Sequence, residues 1–203
     1  MNPVILIPCK NLDRGKSRLA ACLTPRSRRA LCEFFLCRTL DLAIGTVPAA
    51  LVRVVTSDPR VASIAAEYGV DAIDDGGRDL NGALECSRWR ILAESGDCAG
   101  LVLPIDLPLA TPAALVEVAA APQDVVIAPD EAMDGTNVLR LSPPALRQLP
   151  FSFGPHSYAA HCAFARAAGL AVRTVNEPSL AFDVDGPEQY RRWALEHPAW
   201  DAT

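Results

Sequence analysis

The strongest constraint on the fold of this chain is a unit that repeats along it. A short run of consecutive apolar residues leads into a capping side chain set directly before a proline. The runs are Val4–Ile7, Leu51–Val55 with Arg53 as its one polar interruption, Leu101–Leu103 and Val125–Ala128. They are continuous rather than alternating, so each strand is expected to bury both faces, as in a parallel sheet covered by helices. Thr24-Pro25, Asp58-Pro59, Thr111-Pro112 and Ser142-Pro143 mark helix starts. The cap accepts an orphaned backbone N–H, and proline lacks the N–H that would otherwise be orphaned at the first helical position. Asp185 before Gly186-Pro187 reads as a fifth start. Gly45, Gly69 and Gly169 read as helix stops, where a left-handed residue needs no β-carbon. Ala171–Val175 and Ala181-Phe182 read as further short strands before a last helix near Glu188 to Leu195. The pattern predicts an α/β layered fold with a mostly parallel sheet. With 203 residues, no low-complexity linker and no internal repeat, it predicts a single domain over 1–203.

Composition narrows the function. Half the residues are hydrophobic and 21% are charged, which excludes a disordered chain, a collagen and a coiled coil. A net charge of -5 argues against a nucleic-acid partner. No apolar run is long enough to cross a bilayer and no leader is legible, so the expected address is the cytoplasm, without a membrane partner. The seven cysteines are odd in number and lack a Cys-x-x-Cys pair, which suits reduced structural thiols. Cys9 is the one to watch, because it adjoins the first loop.

In open α/β sheets, ligands bind where strands end. The loop after the first strand contains Lys10, Gly15, Lys16, Ser17 and Arg18. The chain has 19 basic residues of which only two are lysines, and both fall here. Retained lysines among arginines suggest sites that need a compact point charge, as on phosphate. Lys10-x-x-x-x-Gly15-Lys16-Ser17 also resembles a P-loop missing its first glycine, which keeps a P-loop-like small-molecule kinase as a rival reading. Asp106, held between Pro104 and Pro108 at a strand end, suits a divalent cation beside a nucleotide. Asp183 and Asp185 are separated by one residue and would share a side if extended, which suits a common metal, with Asp185 also eligible as a helix cap. Gly135-Thr136-Asn137 and Phe153-Gly154-Pro155-His156-Ser157 complete the set. In the second, a glycine-bearing turn enters a helix, where backbone N–H groups face an anion and Ser157 caps. His161 reads as packed on its helix.

The run Ile-Pro-x-Lys-x-Leu-x-x-x-Lys-Ser-Arg-Leu at 7 to 19, with Val54–Asp58, Leu80–Leu84, Leu103–Pro108 and the two glycine motifs, resembles the 2-phospho-L-lactate guanylyltransferase family of coenzyme F-420 biosynthesis. The resemblance implies a three-layer nucleotidyltransferase fold of the nucleotide-diphospho-sugar transferase type. It implies transfer of GMP from GTP to a small phosphorylated carboxylic acid: 2-phospho-L-lactate, phosphoenolpyruvate or 3-phosphoglycerate. It also implies that Thr136, Gly154 and Ser157 hold the acceptor, and that Asp106, Asp183 and Asp185 bind Mg2+. Lys10, Lys16 and Arg18 are then the catalytic cations on the triphosphate. Pro8, Lys10, Lys16, Ser17, Asn81 and Asp106 form the nucleotide side, with Asn81 in a loop reading the guanine edge. A non-catalytic α/β nucleotide-binding protein is the remaining alternative.

Overall fold

The computed structural model of the chain describes residues 2–13, 15–197 and 200. Seven strands form one sheet. They are β1 (Val4–Pro8), β2 (Val52–Val55), β3 (Asp71–Ile73), β4 (Gly100–Val102), β5 (Val125–Pro129), β6 (Thr136–Leu141) and β7 (Val172–Thr174), in the spatial order β3-β2-β1-β4-β6-β5-β7. All pairings are parallel except those of β6, which runs antiparallel to both β4 and β5. The helices are α1 (Pro25–Thr46), α2 (Pro59–Glu67), α3 (Leu80–Ser95), α4 (Pro112–Ala120), α5 (Pro143–Gln148), α6 (Ser157–Ala167), α7 (Pro178–Ala181) and α8 (Pro187–Glu196).

Successive side chains of a strand point to opposite faces of the sheet. Ile5 and Ile7 of β1 accordingly pack with Leu36, Leu40 and Leu115 from α1 and α4 on one face. Val4 and Leu6 pack with Leu84, Ile91 and Leu146 from α3 and α5 on the other. The continuous apolar run is thus the signature of a middle layer. A third cluster joins Leu19, Leu31, Phe35, Phe182, Val184 and Trp193, and fastens the short 3-10 turn Ser17–Ala21 and the segment before α8 to α1.

The four capped starts form as expected: Thr24, Asp58, Thr111 and Ser142 accept backbone N–H groups of Ser27, Arg60, Ala114 and Ala145, each with proline in the first turn. Gly69 and Gly169 follow their helices at φ 69° and 70°. Four expectations are corrected. α1 runs through Gly45 to Thr46 and stops before Val47-Pro48, because proline disfavours helical backbone in the residue before it. The expected strand at Ala181-Phe182 is instead the end of α7, a turn capped by Glu177. The cap of α8 is Gly186 rather than Asp185, and it makes no side-chain cap bond. Asn81 lies in the first turn of α3, capped by Asp79 through Gly82 N–H, rather than in a loop.

The strand β6 was not legible as such, and it matters for function. Residues 130–135 turn the chain back, with Asp130 N–H donating to Gly135 C=O and Asp134 N–H to the Asp130 carboxylate. A β-carbon at Gly135 would stand 2.8 Å from that carboxylate, so a larger residue there would have to displace it. Because β6 is antiparallel, its first residues lie beside the carboxyl ends of β4 and β5. Thr136 and Asn137 are thereby delivered to the edge where the other loops meet.

Candidate active site

A cavity of about 410 Å3 opens at the carboxyl ends of the central strands. Its lining includes Pro8, Arg18, Asp106, Asp183 and Asp185 on one side, and Thr136, Asn137, Phe153, Gly154 and Ser157 on the other. Six separate segments of chain meet there: the ends of β1 and β4, the first loop, the start of β6, the turn into α6, and the segment before α8.

That last segment shows how sequence builds the acidic wall. Phe182, Asp183, Val184 and Asp185 alternate apolar and acidic residues. Phe182 and Val184 are 4% and 0% exposed in the third cluster. In extended chain the carboxylates at alternate positions face the opposite way, into the cavity. Val184 N–H donates to Asp106 C=O at 3.0 Å, which fixes the pair beside the strand-end aspartate.

Lys16 is bound into this wall by two carboxylates. Its Nζ lies 2.8 Å from Asp106 Oδ2 and 2.9 Å from Asp185 Oδ1, and the side chain is only 8% exposed. The backbone there is left-handed, φ 50° and ψ 43°, a conformation unfavourable by about 1–2 kcal/mol for a residue with a β-carbon. Burial lowers the lysine pKa, but the two carboxylates more than offset it and hold the ammonium charged. Asp185 shows the converse: burial raises it, the Lys16 charge and hydrogen bond lower it, and the net shift is downward. Asp183 makes no such bond. Burial first, then the charges of Asp106 and Asp185, push its carboxyl up to about 6. Arg18 is 78% exposed and reaches Asp185 at 3.8 Å. Lys10 and Ser17 are exposed beside the cavity and are not in its lining.

The opposite wall carries hydroxyl and backbone groups, and Asp130 and Asp134 join the lining beside them. Gly154 has φ 132°, and a β-carbon there would meet no protein atom within 4 Å. Ser157 opens α6 after His156 at φ 58°, but it does not cap the helix. Its hydroxyl accepts Thr136 N–H at 2.8 Å, tying the start of β6 to the start of α6. His156 is held outside by Asp134, whose carboxylate takes both its backbone N–H and its ring Nδ1. Asn81 clamps the turn: its amide donates to Phe153 C=O at 3.0 Å and accepts Phe153 N–H at 2.8 Å. Both polar ends of the amide are therefore engaged by backbone, which makes Asn81 a support of the Gly154 turn. Asn137 donates to the carbonyls of Leu180 and Ala181 and braces the segment leading to Asp183.

Sequence reasoning missed two further contributors. Asp58 caps α2 and also accepts Leu12 N–H at 3.0 Å, pinning the first loop to the second strand. His161 is fully buried and bonds Thr136 Oγ1 through Nδ1 at 3.0 Å. The signal for Asp58 was present in its cap position; nothing local marked His161. Cys9 is buried, and burial followed by the neighbouring Cys32, Asp58 and Asp106 pushes its thiol up, so it is a packed side chain rather than a nucleophile. All seven cysteines are free. Among the described residues no helix is long and apolar enough to cross a membrane.

Solved structures with this architecture include a nucleotidyl transferase from Methanothermobacter, with a TM-score of 0.67, 15% identity and coverage of 96% of this chain and 97% of that one. A candidate nucleotide-diphospho-sugar transferase from Desulfovibrio desulfuricans G20 aligns with a TM-score of 0.65 and 13% identity, over 90% of this chain and 81% of its own. The fold is therefore of the nucleotide-diphospho-sugar transferase type. The chain is 43% identical over 195 residues to the phosphoenolpyruvate guanylyltransferase of Rubrobacter xylanophilus, covering 95% of this chain and 93% of that protein. It is 39% identical over 204 residues to the protein of the same name from Chloroflexus aggregans, covering 96% and 98%. A family model described as "Guanylyl transferase CofC like" matches residues 3–195. A match of that extent places this nucleotidyltransferase in the CofC-like guanylyl transferase family.

Proposed function

We propose that the protein transfers GMP from GTP to phosphoenolpyruvate and releases pyrophosphate, as the first step of coenzyme F-420 side-chain assembly. The observation that carries this reading is the two-sided cavity: Asp106, Asp183 and Asp185, two of them paired with the buried Lys16, stand across from the hydroxyl and backbone groups of Thr136, Gly154 and Ser157, with Asp130 and Asp134 also in the lining. A small acid with phosphate at one end and carboxylate at the other suits that polarity. The name of the relatives from Rubrobacter and Chloroflexus favours phosphoenolpyruvate among the three candidate acids.

The chemistry needs little from a general base. The acceptor's phosphate is largely ionised near neutrality, since its second pKa is about 6. One of its oxygens attacks the α-phosphorus of GTP, the bond to the bridging α–β oxygen breaks, and pyrophosphate leaves with that electron pair. Catalysis is then positioning and charge neutralisation. Lys16 and Arg18, with Lys10 from the outer part of the loop, hold the triphosphate and the developing pyrophosphate charge. Thr136, Gly154 and Ser157 receive the acceptor's carboxylate. Pro8 and the first loop flank the nucleotide, with Ser17 beside it. Asn81 contributes by holding the Gly154 turn.

The acidic wall fits Mg2+. Its donors are hard oxygens, and three carboxylates stand there against the one buried ammonium of Lys16. Among the described residues no group of three such side chains forms a ready-made cage. Magnesium is commonly held by one or two carboxylates together with substrate phosphates. One or two of Asp106, Asp183 and Asp185 would hold it, and it would supply Lewis-acid stabilisation of phosphoryl oxygens.

The test is turnover of GTP with each of the three acids in the presence of magnesium, following pyrophosphate and the product mass. Pyrophosphate with a guanylylated phosphoenolpyruvate is expected, faster from GTP than from ATP, CTP or UTP. Turnover with another acid instead would reassign the acceptor. GDP or ADP with a phosphorylated acceptor would replace this reading with a kinase.

A further inference from the structure

The buried imidazole of His161 lies behind the anion-binding wall, and its wiring can be read from its partners. Ser152 N–H points at Nε2, 3.1 Å away. A backbone amide can only donate, so Nε2 carries a lone pair. Burial pushes the ring pKa down to about 4, and the ring is neutral at physiological pH. A neutral imidazole has one N–H, which must then be on Nδ1. Nδ1 lies 3.0 Å from Thr136 Oγ1, so the threonine hydroxyl accepts and its own proton is free to be donated elsewhere. Phe153 meets the ring edge-on at 5.2 Å, and Asn81 in turn holds Phe153, so the imidazole is fixed in plane and position.

The neighbouring hydroxyl obeys the same logic. Ser157 Oγ accepts Thr136 N–H and so must also donate away from β6. Among the described residues neither hydroxyl has a further hydrogen-bond partner, and both residues line the cavity. Without the His161 N–H, the threonine hydroxyl would be free to rotate and donate backward.

We infer that His161 is a positioning residue that locks the Thr136 hydroxyl as a donor toward the acceptor's carboxylate, and so sets affinity for the acceptor rather than the rate of GMP transfer. This rests on the reading that the Thr136–Ser157 wall receives the acceptor.

Two measurements test it. The first is nitrogen NMR of histidine-labelled, ligand-free protein at neutral pH, which reads the tautomer whatever the substrate. A protonated Nδ1 with an unprotonated Nε2 is expected; a protonated Nε2 overturns the inference while leaving the acceptor reading intact. The second is kinetic. His161→Gln keeps an acceptor for Ser152 N–H but loses the donor to Thr136, whereas His161→Asn keeps a donor near Nδ1. His161→Gln is expected to raise the KM for phosphoenolpyruvate about tenfold or more, the scale of one hydrogen bond to a charged group, with kcat and the KM for GTP within about twofold. His161→Asn should recover most of that loss. In a Thr136→Val background, the added effect of His161→Gln should vanish. An equal effect in that background, or a loss falling on kcat and both KM values alike, shows that His161 acts through general structure and overturns the inference. If His161→Gln does not fold, His161→Asn and the tautomer decide. A wild-type enzyme with the expected tautomer but no saturable dependence on any of the three acids overturns the acceptor reading instead.

Discussion

Replacing Lys16 with alanine probes the centre of the site, and its effect on stability can be worked from the geometry. The ammonium is 2.8 Å and 2.9 Å from carboxylate oxygens of Asp106 and Asp185. At an effective dielectric of about 20, each contact is worth roughly 6 kcal/mol of Coulomb attraction. Desolvation of the ions offsets most of that in the intact pair. Removing only the lysine leaves two acids facing each other beside a third, and breaking such a pair costs about 3–5 kcal/mol when it is buried. Asp106 and Asp185 are 25% and 49% exposed, so water screens part of the repulsion and the expected loss is about 2–3 kcal/mol. For a chain of this size that lowers the melting temperature by about 4–12 °C. The sign with pH follows from both partners. Asp185 is depressed in the folded protein, so its contribution is present above its unfolded pKa and is lost as pH falls through the folded value. Lys16 is raised, so its contribution is present at all pH values below its unfolded pKa. The penalty in Lys16→Ala should therefore be full at pH 7 and smaller at about pH 3, below the ordinary carboxylate range, where Asp185 takes up its proton. Urea denaturation of the metal-free protein at both pH values measures it, and Lys16→Arg should recover part of the loss at pH 7. Turnover of Lys16→Ala should fall at least about 100-fold. A wild-type urea midpoint for Lys16→Ala at pH 7 would refute the buried, charge-compensating placement of this lysine.

Asp183→Asn should stabilise the metal-free protein at pH 7 while lowering activity and magnesium affinity. Its raised pKa, about 6, means that the folded carboxyl is strained above that pH and relieved as pH falls toward its ordinary value, so the gain should disappear near pH 4. Thermal melts across that range, with and without magnesium, check both signs, and a variant destabilised at pH 7 would contradict them. Asp58→Ala removes a cap and the anchor of Leu12 N–H together, and should lower stability by about 1–3 kcal/mol and raise the KM for GTP more than that for the acceptor, read by steady-state kinetics and urea denaturation. Gly154→Val should weaken acceptor binding and leave GTP binding nearly intact in calorimetric titration, because φ 132° disfavours a β-carbon and no protein atom stands in its way.

The local pattern alone determined the layered architecture. Each capped proline start and each continuous apolar run depends on chemistry within a few residues: an orphaned N–H, a missing N–H, a strand with two buried faces. The same is true of the carboxylates at Asp183 and Asp185, whose alternation with Phe182 and Val184 already separates core from cavity. Where the pattern erred, the deciding force came from elsewhere in the chain or just beyond the motif. Gly45 stays helical because Pro48, not glycine, ends α1. Thr136–Leu141 contains Asn137 and Arg140, so it did not read as a strand; pairing on both sides with β4 and β5 makes it one, and buries even Arg140. Lys16 read as a phosphate ligand, and the one acid near it in sequence, Asp13, pairs with Arg29 instead. The partners of Lys16 lie 90 and 169 positions away. Ser157 carries the signature of a helix cap, yet its hydroxyl is taken by Thr136 N–H, 21 positions earlier. His161 read as packed on its helix and is buried there, but its hydrogen-bonding role was hidden, since a histidine's tautomer is set by whichever donor and acceptor the fold brings to its two nitrogens. Sequence thus determined which residue types reach the ends of the strands. Which of them face one another, and which proton each one holds, was decided only by long-range packing, because Coulomb attraction and hydrogen bonding act across a few ångströms of space regardless of separation along the chain.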